Sequence, residues 1–250
     1  HPDMPLAVRT ECPPHYEGSL KEYFGGDFEK EMAAMIPPAT LDLRVNVNKA
    51  DRGKVKNYLE ADGVRTEFTP YSPWGLRCEN KAFLSRTKAF AQGWIEIQDE
   101  GSQLIALALD PKPGMSVLDY CAGAGGKTLA VAAALNGKGR IVAMDLDERR
   151  LQKGKERFRK AGVSDIIETR ALSDDKNRKW LRRQKGTFDA VLCDVPCTGT
   201  GTWRRNPDGG WFRHGPSIET LIETQREILA KTAVIPKPNG RLVYATCSIL

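Results

Sequence analysis

From residue 115 to residue 246 the chain repeats one pattern, a short apolar run followed by a turn and a helical stretch. "MSVLD" at 115–119 leads into a glycine-rich turn and "KTLAVAAAL"; "RIVAMD" at 140–145 leads into a charged helix over 147–161. "DIIET" at 165–169 precedes a basic helical segment, and "FDAVLCD" at 188–194 runs through a long loop into a helix over 217–234. "GRLVYAT" at 240–246 closes the series. Helices between strands supply the crossovers that parallel strands require, so the pattern predicts a doubly wound parallel sheet. Ligands of such sheets sit beyond the carboxyl ends of the strands, which makes the residues after each run the candidates for chemistry.

Residues 1–95 follow a different regime. They mix strand-like runs ("LDLRVNV", "WGLRC", the start of "WIEIQD") with helical stretches near 20–35 and 53–62, and hold many of the Pro and aromatic residues. A smaller α+β domain over 1–95 and a larger one over 96–250 is the expected division of 250 residues. The opening "HPDMPLAVRT" has no initiator Met and no signal-peptide core, and reads as a chain entered partway. No run approaches a membrane span, and six cysteines without a secretion signal read as thiols, so a cytoplasmic protein is expected. A net charge of +6 favours an anionic partner, nucleic acid first.

"LDYCAGAGGKT" at 118–128 joins the first run to its helix. Small residues let the backbone approach a ligand closely, and a helix N-terminus offers N–H groups without intrahelical partners. The dinucleotide pattern G-x-G-x-x-G fails because Thr128 stands at its last glycine. The phosphate-loop pattern G-x-x-x-x-G-K-[ST] is met by Gly126, Lys127 and Thr128, but its first glycine falls on Cys121. A turn of the kind that cradles the methionine part of S-adenosylmethionine is the third option. The next run ends in Asp145, at a spacing where an acid reaches ribose hydroxyls, which favours a nucleoside cofactor. The plain alternative is a tight turn with Asp145 as a helix cap.

Two cysteines follow strand ends: Cys197 in "DVPCTGTG" and Cys247 in "YATCSIL". Cys12, Cys78 and Cys193 read as small buried hydrophobes. Zinc would need four N/S ligands, and His1, His15 and His214 form no ligand pair, so no metal is expected. The C-x-x-x-C spacing of Cys193 and Cys197 is not that of a redox dithiol. Covalent catalysis on a pyrimidine fits better. A thiolate adding to carbon-6 turns carbon-5 into a nucleophile, an acid can hydrogen-bond ring nitrogen 3 and the exocyclic group, and a base removes the carbon-5 proton. Asp194, Cys197 and Cys247 supply that kit, and Lys127 could orient the acid or lower a thiol pKa. The residues alone do not say which thiol attacks.

"DYCAGAGGKT", "VAMDLDERRL", "DVPCTGTGTWRRNPD" and "YATCS", in that order, resemble the RsmB/NOP/Sun-type RNA (cytosine-5) methyltransferases, and their bacterial RsmB-like members in particular. "LDLRVNVNKA" and "IEIQDEGSQ" carry the resemblance back to about residue 40. It implies an α/β fold built on a Rossmann-like class I methyltransferase sheet, doubly wound and truncated before the final strand pair, with the smaller α+β domain binding RNA. It implies S-adenosylmethionine-dependent methylation of cytosine carbon-5 in RNA, ribosomal RNA by analogy with bacterial relatives. Carried onto this sequence, Cys247 is the nucleophile and Cys197 assists product release. The cofactor lies against Cys121, Ala122, Gly123, Ala124, Gly125, Gly126 and Lys127, with Asp145 on the ribose, Arg150 nearby and Asp194 beside methyl donor and base. Ala124 stands where the family often has proline, and Asp174 or Asp175 reaches the adenine-side acid position only with a shift.

The rival classes are an RNA uracil-5 methyltransferase, a P-loop-like nucleotide hydrolase and a non-catalytic RNA-binding module. Basic segments at 147–160 and 176–185 read as solvated helix faces. In "WRRNPD" at 203–208, Arg204 and Arg205 are candidates for phosphates, and Trp203 or Trp211 for packing beside an extruded base. Nothing in the sequence speaks to oligomeric state.

Overall fold

The computed structural model describes residues 3–211 and 215–250, so His1 and His214 lie outside the described residues. The chain forms two compact units: 1–39, 196–226 and 246–250 make one, and 40–195 with 227–245 make the other. Residues before 96 therefore contribute to both.

The first unit opens with three helices, α1 (Leu6–Arg9), α2 (Pro14–Phe24) and α3 (Phe28–Met35). Pro14 suits the first turn of α2, where its missing N–H costs nothing. The single helical stretch expected over 20–35 is broken by a 3-10 turn at Gly25–Asp27, with Gly25 at a φ of +54°. Leu20, Phe28 and Met32 recur at helical spacing and build a small core with Cys12 and Trp203, flanked by Tyr16, Ile249 and Leu250.

The second unit begins with β1 (Leu41–Val45), α4 (Arg52–Ala61), β2 (Thr66–Phe68), β3 (Gly75–Cys78), α5 (Lys88–Ala91) and β4 (Ile95–Ile97). These strands form an antiparallel sheet of order β2-β3-β1-β4. Alternation in β1 sends Leu43 and Val45 into a core with Val55, Leu59, Leu76 and Ile95. Asp42 and Arg44 are buried on the opposite face, Asp42 in a two-pronged ion pair with Arg77.

The regular part follows as α6 (Glu100–Ala108), β5 (Ser116–Tyr120), α7 (Gly126–Ala134), β6 (Arg140–Asp145), α8 (Glu148–Ala161) and β7 (Ile167–Ala171). It ends with α9 (Asp175–Arg182), β8 (Phe188–Asp194), α10 (Ile218–Thr232) and β9 (Pro236–Ala245). All five strands pair in parallel, in the order β7-β6-β5-β8-β9. Both faces are covered: Val117, Ile141, Ala190 and Leu192 pack on one side, while Leu118, Val142, Val191 and Cys193 pack on the other. The doubly wound sheet expected from the sequence is thus present, and its direction of winding reverses between β5 and β8. β9 starts earlier than expected because a bulge lets Pro236 pair with Phe188 before Arg241 resumes with Ala190. That bulge needs Gly240, where a Cβ would stand 3.0 Å from the Asp189 carbonyl. α6 escaped the sequence reading, although Asp99 caps it by accepting from the Ser102 amide.

Candidate active site

The turn after β5 is shaped by left-handed residues. Cys121, Gly123 and Gly125 have φ values of +73°, +58° and +79°. Conformation favours glycine at the last two, and at Gly125 space requires it as well, since Phe158 is buried while Arg150 beside Gly123 can swing away. A Cβ on Gly123 would stand 2.4 Å from the Arg150 guanidinium, and one on Gly125 would stand 2.3 Å from the Phe158 ring. The Ala122 amide donates to the Met144 carbonyl at 2.8 Å, and the Gly123 amide to Asp145 Oδ2 at 2.7 Å. Asp145 is therefore part of the turn and is not a helix cap. Asp147 caps α8 instead, accepting from the amides of Arg149 and Arg150. Arg150 Nη1 lies 3.8 Å from Asp145 Oδ2.

Gly125 is the N-cap of α7 and provides no side-chain cap, so the first-turn amides keep their donors for another acceptor. A glycine cradle, open amides and a strand-end acid together fit the amino-acid and ribose parts of a nucleoside cofactor such as S-adenosylmethionine. Beneath the turn, Thr128 Oγ1 donates to Asp119 Oδ2 at 2.6 Å, and Asp119 Oδ1 is buried without a hydrogen-bond partner. Burial pushes Asp119 up to about 6, against the pull of the Thr128 hydrogen bond. Lys127 Nζ meets Asp194 Oδ2 at 2.6 Å, which joins the end of the glycine loop to the end of β8. Burial pushes the Cys121 thiol far above the ordinary thiol range, so it stays protonated. Burial also raises Cys193, to about 11; its Sγ donates to Thr232 Oγ1 in the core.

In the first unit, Cys197 is half-buried and Cys247 exposed, with their sulfurs 3.3 Å apart. That is a hydrogen-bonding contact, longer than the ~2.05 Å of a disulfide bond. The two segments are tied together through the residues that follow the sulfurs. The Gly201 amide donates to the Cys247 carbonyl at 2.9 Å, Thr198 Oγ1 meets Ser248 Oγ at 2.6 Å, and the Ile249 amide donates to Thr200 Oγ1 at 2.8 Å. Thr198, Thr200 and Ser248 were not singled out from the sequence. Their only local signal is that hydroxyls flank both cysteines.

Two expectations for "WRRNPD" are overturned. Trp203 is 6% exposed and belongs to the core with Leu20, Phe28 and Met32, so it does not pack beside a base. Arg204 donates from Nε to the Pro37 carbonyl and from Nη2 to the Pro38 carbonyl, both at 3.0 Å, and so anchors the chain. Trp211, by contrast, is 48% exposed. Asp174 caps α9 and Asp175 pairs with Arg178. Among the described residues no group of three His, Cys, Asp or Glu is placed to hold a metal, and no helix is long and apolar enough to cross a membrane.

The family model of the 16S rRNA methyltransferases RsmB/F matches residues 106–250. Ribosomal RNA small subunit methyltransferase B of Vibrio cholerae is 34% identical over 232 residues, 92% of this chain and 52% of its own length. The probable ribosomal RNA small subunit methyltransferase B of Bacillus subtilis is 32% identical over 246 residues, 98% of this chain and 54% of its own. The crystal structure of PH0851 matches 100% of this chain and 57% of its own with a TM-score of 0.90 at 32% identity. The chain thus spans about half the length of the curated relatives it matches.

Proposed function

The chain belongs to the RsmB/F methyltransferase family, whose Rossmann-like fold it has, and from that premise we propose that it methylates carbon-5 of a cytosine in ribosomal RNA through a covalent adduct on Cys247. The observation that carries this reading is the pair of thiols 3.3 Å apart, since one supplies a nucleophile and the other a proton-transfer partner within hydrogen-bonding reach.

S-adenosylmethionine, when bound, supplies an electrophilic sulfonium methyl group. The turn from Cys121 to Lys127 would hold its amino-acid part, with the first-turn amides of α7 as donors, Asp145 would take the ribose hydroxyls, and Arg150 borders the same turn. Cytosine carbon-5 is a poor nucleophile until Cys247 Sγ, as the thiolate, adds to carbon-6 and pushes an electron pair onto carbon-5. Asp194, held by Lys127, accepts from the exocyclic amine, and the Lys127–Asp194 pair passes a proton to ring nitrogen 3 as negative charge develops there. Once carbon-5 is methylated, loss of its proton re-forms the ring double bond and expels Cys247, with Cys197 assisting that release. The target base must be unstacked to be reached, so a loop or a locally opened helix suits as substrate. Residues 1–95, although divided between the two compact units, contribute RNA contacts, and the catalytic residues come from 96–250, in a protein of the cytoplasm.

RNA containing 5-fluorocytosine, incubated with the protein and radiolabelled S-adenosylmethionine, should yield a covalent adduct that Cys247→Ala abolishes. Cys197→Ala should instead accumulate adduct on ordinary RNA, because release is slowed. Methylation by Cys247→Ala at the wild-type rate would overturn the mechanism. An adduct on 5-fluorouracil RNA alone would point to the uracil enzyme, RNA binding without any adduct to a non-catalytic module, and Lys127-dependent ATP hydrolysis to a nucleotide hydrolase.

A further inference from the structure

The basic stretch 147–160 was expected to be a solvated face, yet Arg157 of α8 turns inward. Its Nη1 donates to the Ala124 carbonyl at 2.6 Å, and its Nη2 to Glu96 Oε2 of β4 at 2.8 Å. Ala124 lies between Gly123 and Gly125, both left-handed, so its carbonyl is one of the few handles by which the turn can be gripped. α8 runs close to the turn at this point: a Cβ on Gly154 would be in ordinary contact with that carbonyl, at 3.4 Å.

Glu96 is itself fixed. It pairs across the sheet with Arg44 of β1, a fully buried arginine whose Nε donates to Gln98 Oε1 at 2.7 Å. Burial lowers Arg44 to about 10; the Glu96 charge works against that shift and the Arg157 charge adds to it. The Glu96 charge thus acts on Arg44 through space and on Arg157 by direct contact, and the other arm of Arg157 is committed to the cofactor turn. Only arginine can grip a carboxylate with one arm and a carbonyl with the other in a fixed fork.

We propose that Arg157 is a positioning residue for the cofactor turn: anchored by Glu96, it fixes the Ala124 carbonyl and so sets cofactor affinity from the four-stranded sheet. The inference rests on the turn binding S-adenosylmethionine. Without the clamp the turn samples more conformations, and the ligand must order it on binding. The loss falls on affinity and leaves the chemical step alone, because Arg157 reaches the ligand only through the backbone of the turn.

The test is titration calorimetry with S-adenosylhomocysteine, beside steady-state methylation of RNA, on wild type, Arg157→Ala, Arg157→Lys and Arg159→Ala. A lost charge-assisted hydrogen bond corresponds to roughly tenfold weaker binding. Arg157→Ala should raise both Kd and the cofactor KM by that factor, with kcat at saturating cofactor within about twofold of wild type. Arg157→Lys should recover part of the loss, and Arg159→Ala, exposed on the same helix, should keep the wild-type Kd and cofactor KM. An unchanged Kd in Arg157→Ala, or a fall in kcat at constant Kd, overturns the proposal. If Arg157→Ala does not fold, the intermediate Kd of Arg157→Lys carries the same test. Wild type that binds no S-adenosylhomocysteine would defeat the cofactor reading instead; the clamp is then judged by hydrogen exchange at residues 122–126 of the ligand-free protein, which Arg157→Ala should speed and which, if unchanged, sinks it.

Discussion

In the turn that follows β5 the backbone is the anchor. Left-handed glycines, the Asp145 carboxylate on the Gly123 amide and the Arg157 grip on the Ala124 carbonyl hold it in place. Around Cys197 and Cys247 side chains are the anchor. Hydroxyls of Thr198, Thr200 and Ser248 tie the two segments together, and Trp203 drives the following stretch into a core made by α2 and α3. The first arrangement presets donors for a ligand of fixed shape. The second keeps sulfurs accessible and places rigidity several residues away, which suits a substrate as variable as an unstacked base. A region held by its backbone should fail when space or φ is altered, and one held by side chains should fail when a distant packing partner is removed.

The largest effect expected is from Trp203→Ala. The indole is buried among Leu20, Phe28 and Met32, and truncating such a group costs about 3–5 kcal/mol. Urea unfolding should report that loss, while S-adenosylhomocysteine affinity under folding conditions stays at the wild-type value. Unchanged stability would return Trp203 to the role of base platform and remove one side of the contrast.

The same contrast explains what could be read from the sequence. β6 and β8 match their apolar runs residue for residue, and the turn at 121–128 was legible because its requirements are local: glycine where φ is positive, an acid one strand later. The buried partners of Trp203, Leu20, Phe28 and Met32 among them, lie 170 or more positions earlier, and nothing in "TWRRN" distinguishes a buried indole from an exposed one. Arg204 misled for the same reason, since a guanidinium bound to the carbonyls of Pro37 and Pro38 looks, in sequence, like one waiting for phosphate. Arg157 was hidden among six other Lys and Arg residues of 147–160, because its role is set by Glu96, on a strand of a different sheet.

Asp119 tests the backbone-held side through pH. Its folded pKa of about 6 exceeds an unfolded value near 3.9, so the folded state holds the proton more tightly. The stabilisation is complete below about pH 4 and is lost as pH rises through about 6, a contribution of at most ~3 kcal/mol. Asp42, Glu100, Glu168 and Asp189 are shifted downward and oppose this trend. The difference between wild type and Asp119→Asn isolates it: relative to the variant, wild type should lose stability between pH 4 and 7. A flat difference would mean that the carboxyl titrates normally.

Gly125→Ala sharpens the contrast next. It forces a side chain into the Phe158 ring at a φ of +79°, and should cost about 1–3 kcal/mol with weaker S-adenosylhomocysteine binding. Gly18→Ala, on an exposed position of α2 with nothing within 4 Å, should stabilise by about 0.5–1 kcal/mol in urea unfolding. If both substitutions behave alike, the φ of the turn is not what holds it.

Trp211→Ala should have the smallest effect, and it acts on binding alone. The ring is 48% exposed, so its removal should leave unfolding within about 0.5 kcal/mol of wild type. Stacking of a base on an aromatic ring is worth about 1–3 kcal/mol, and a half-covered ring belongs at the lower end, roughly fivefold in the KM for RNA. Trp211→Phe should restore most of that affinity, because a smaller ring still offers a π-face. The cofactor KM should not move in either variant. A fall in stability would show that the thiol-bearing unit holds Trp211 as it holds Trp203, and an unchanged RNA KM would remove the indole from the substrate side altogether.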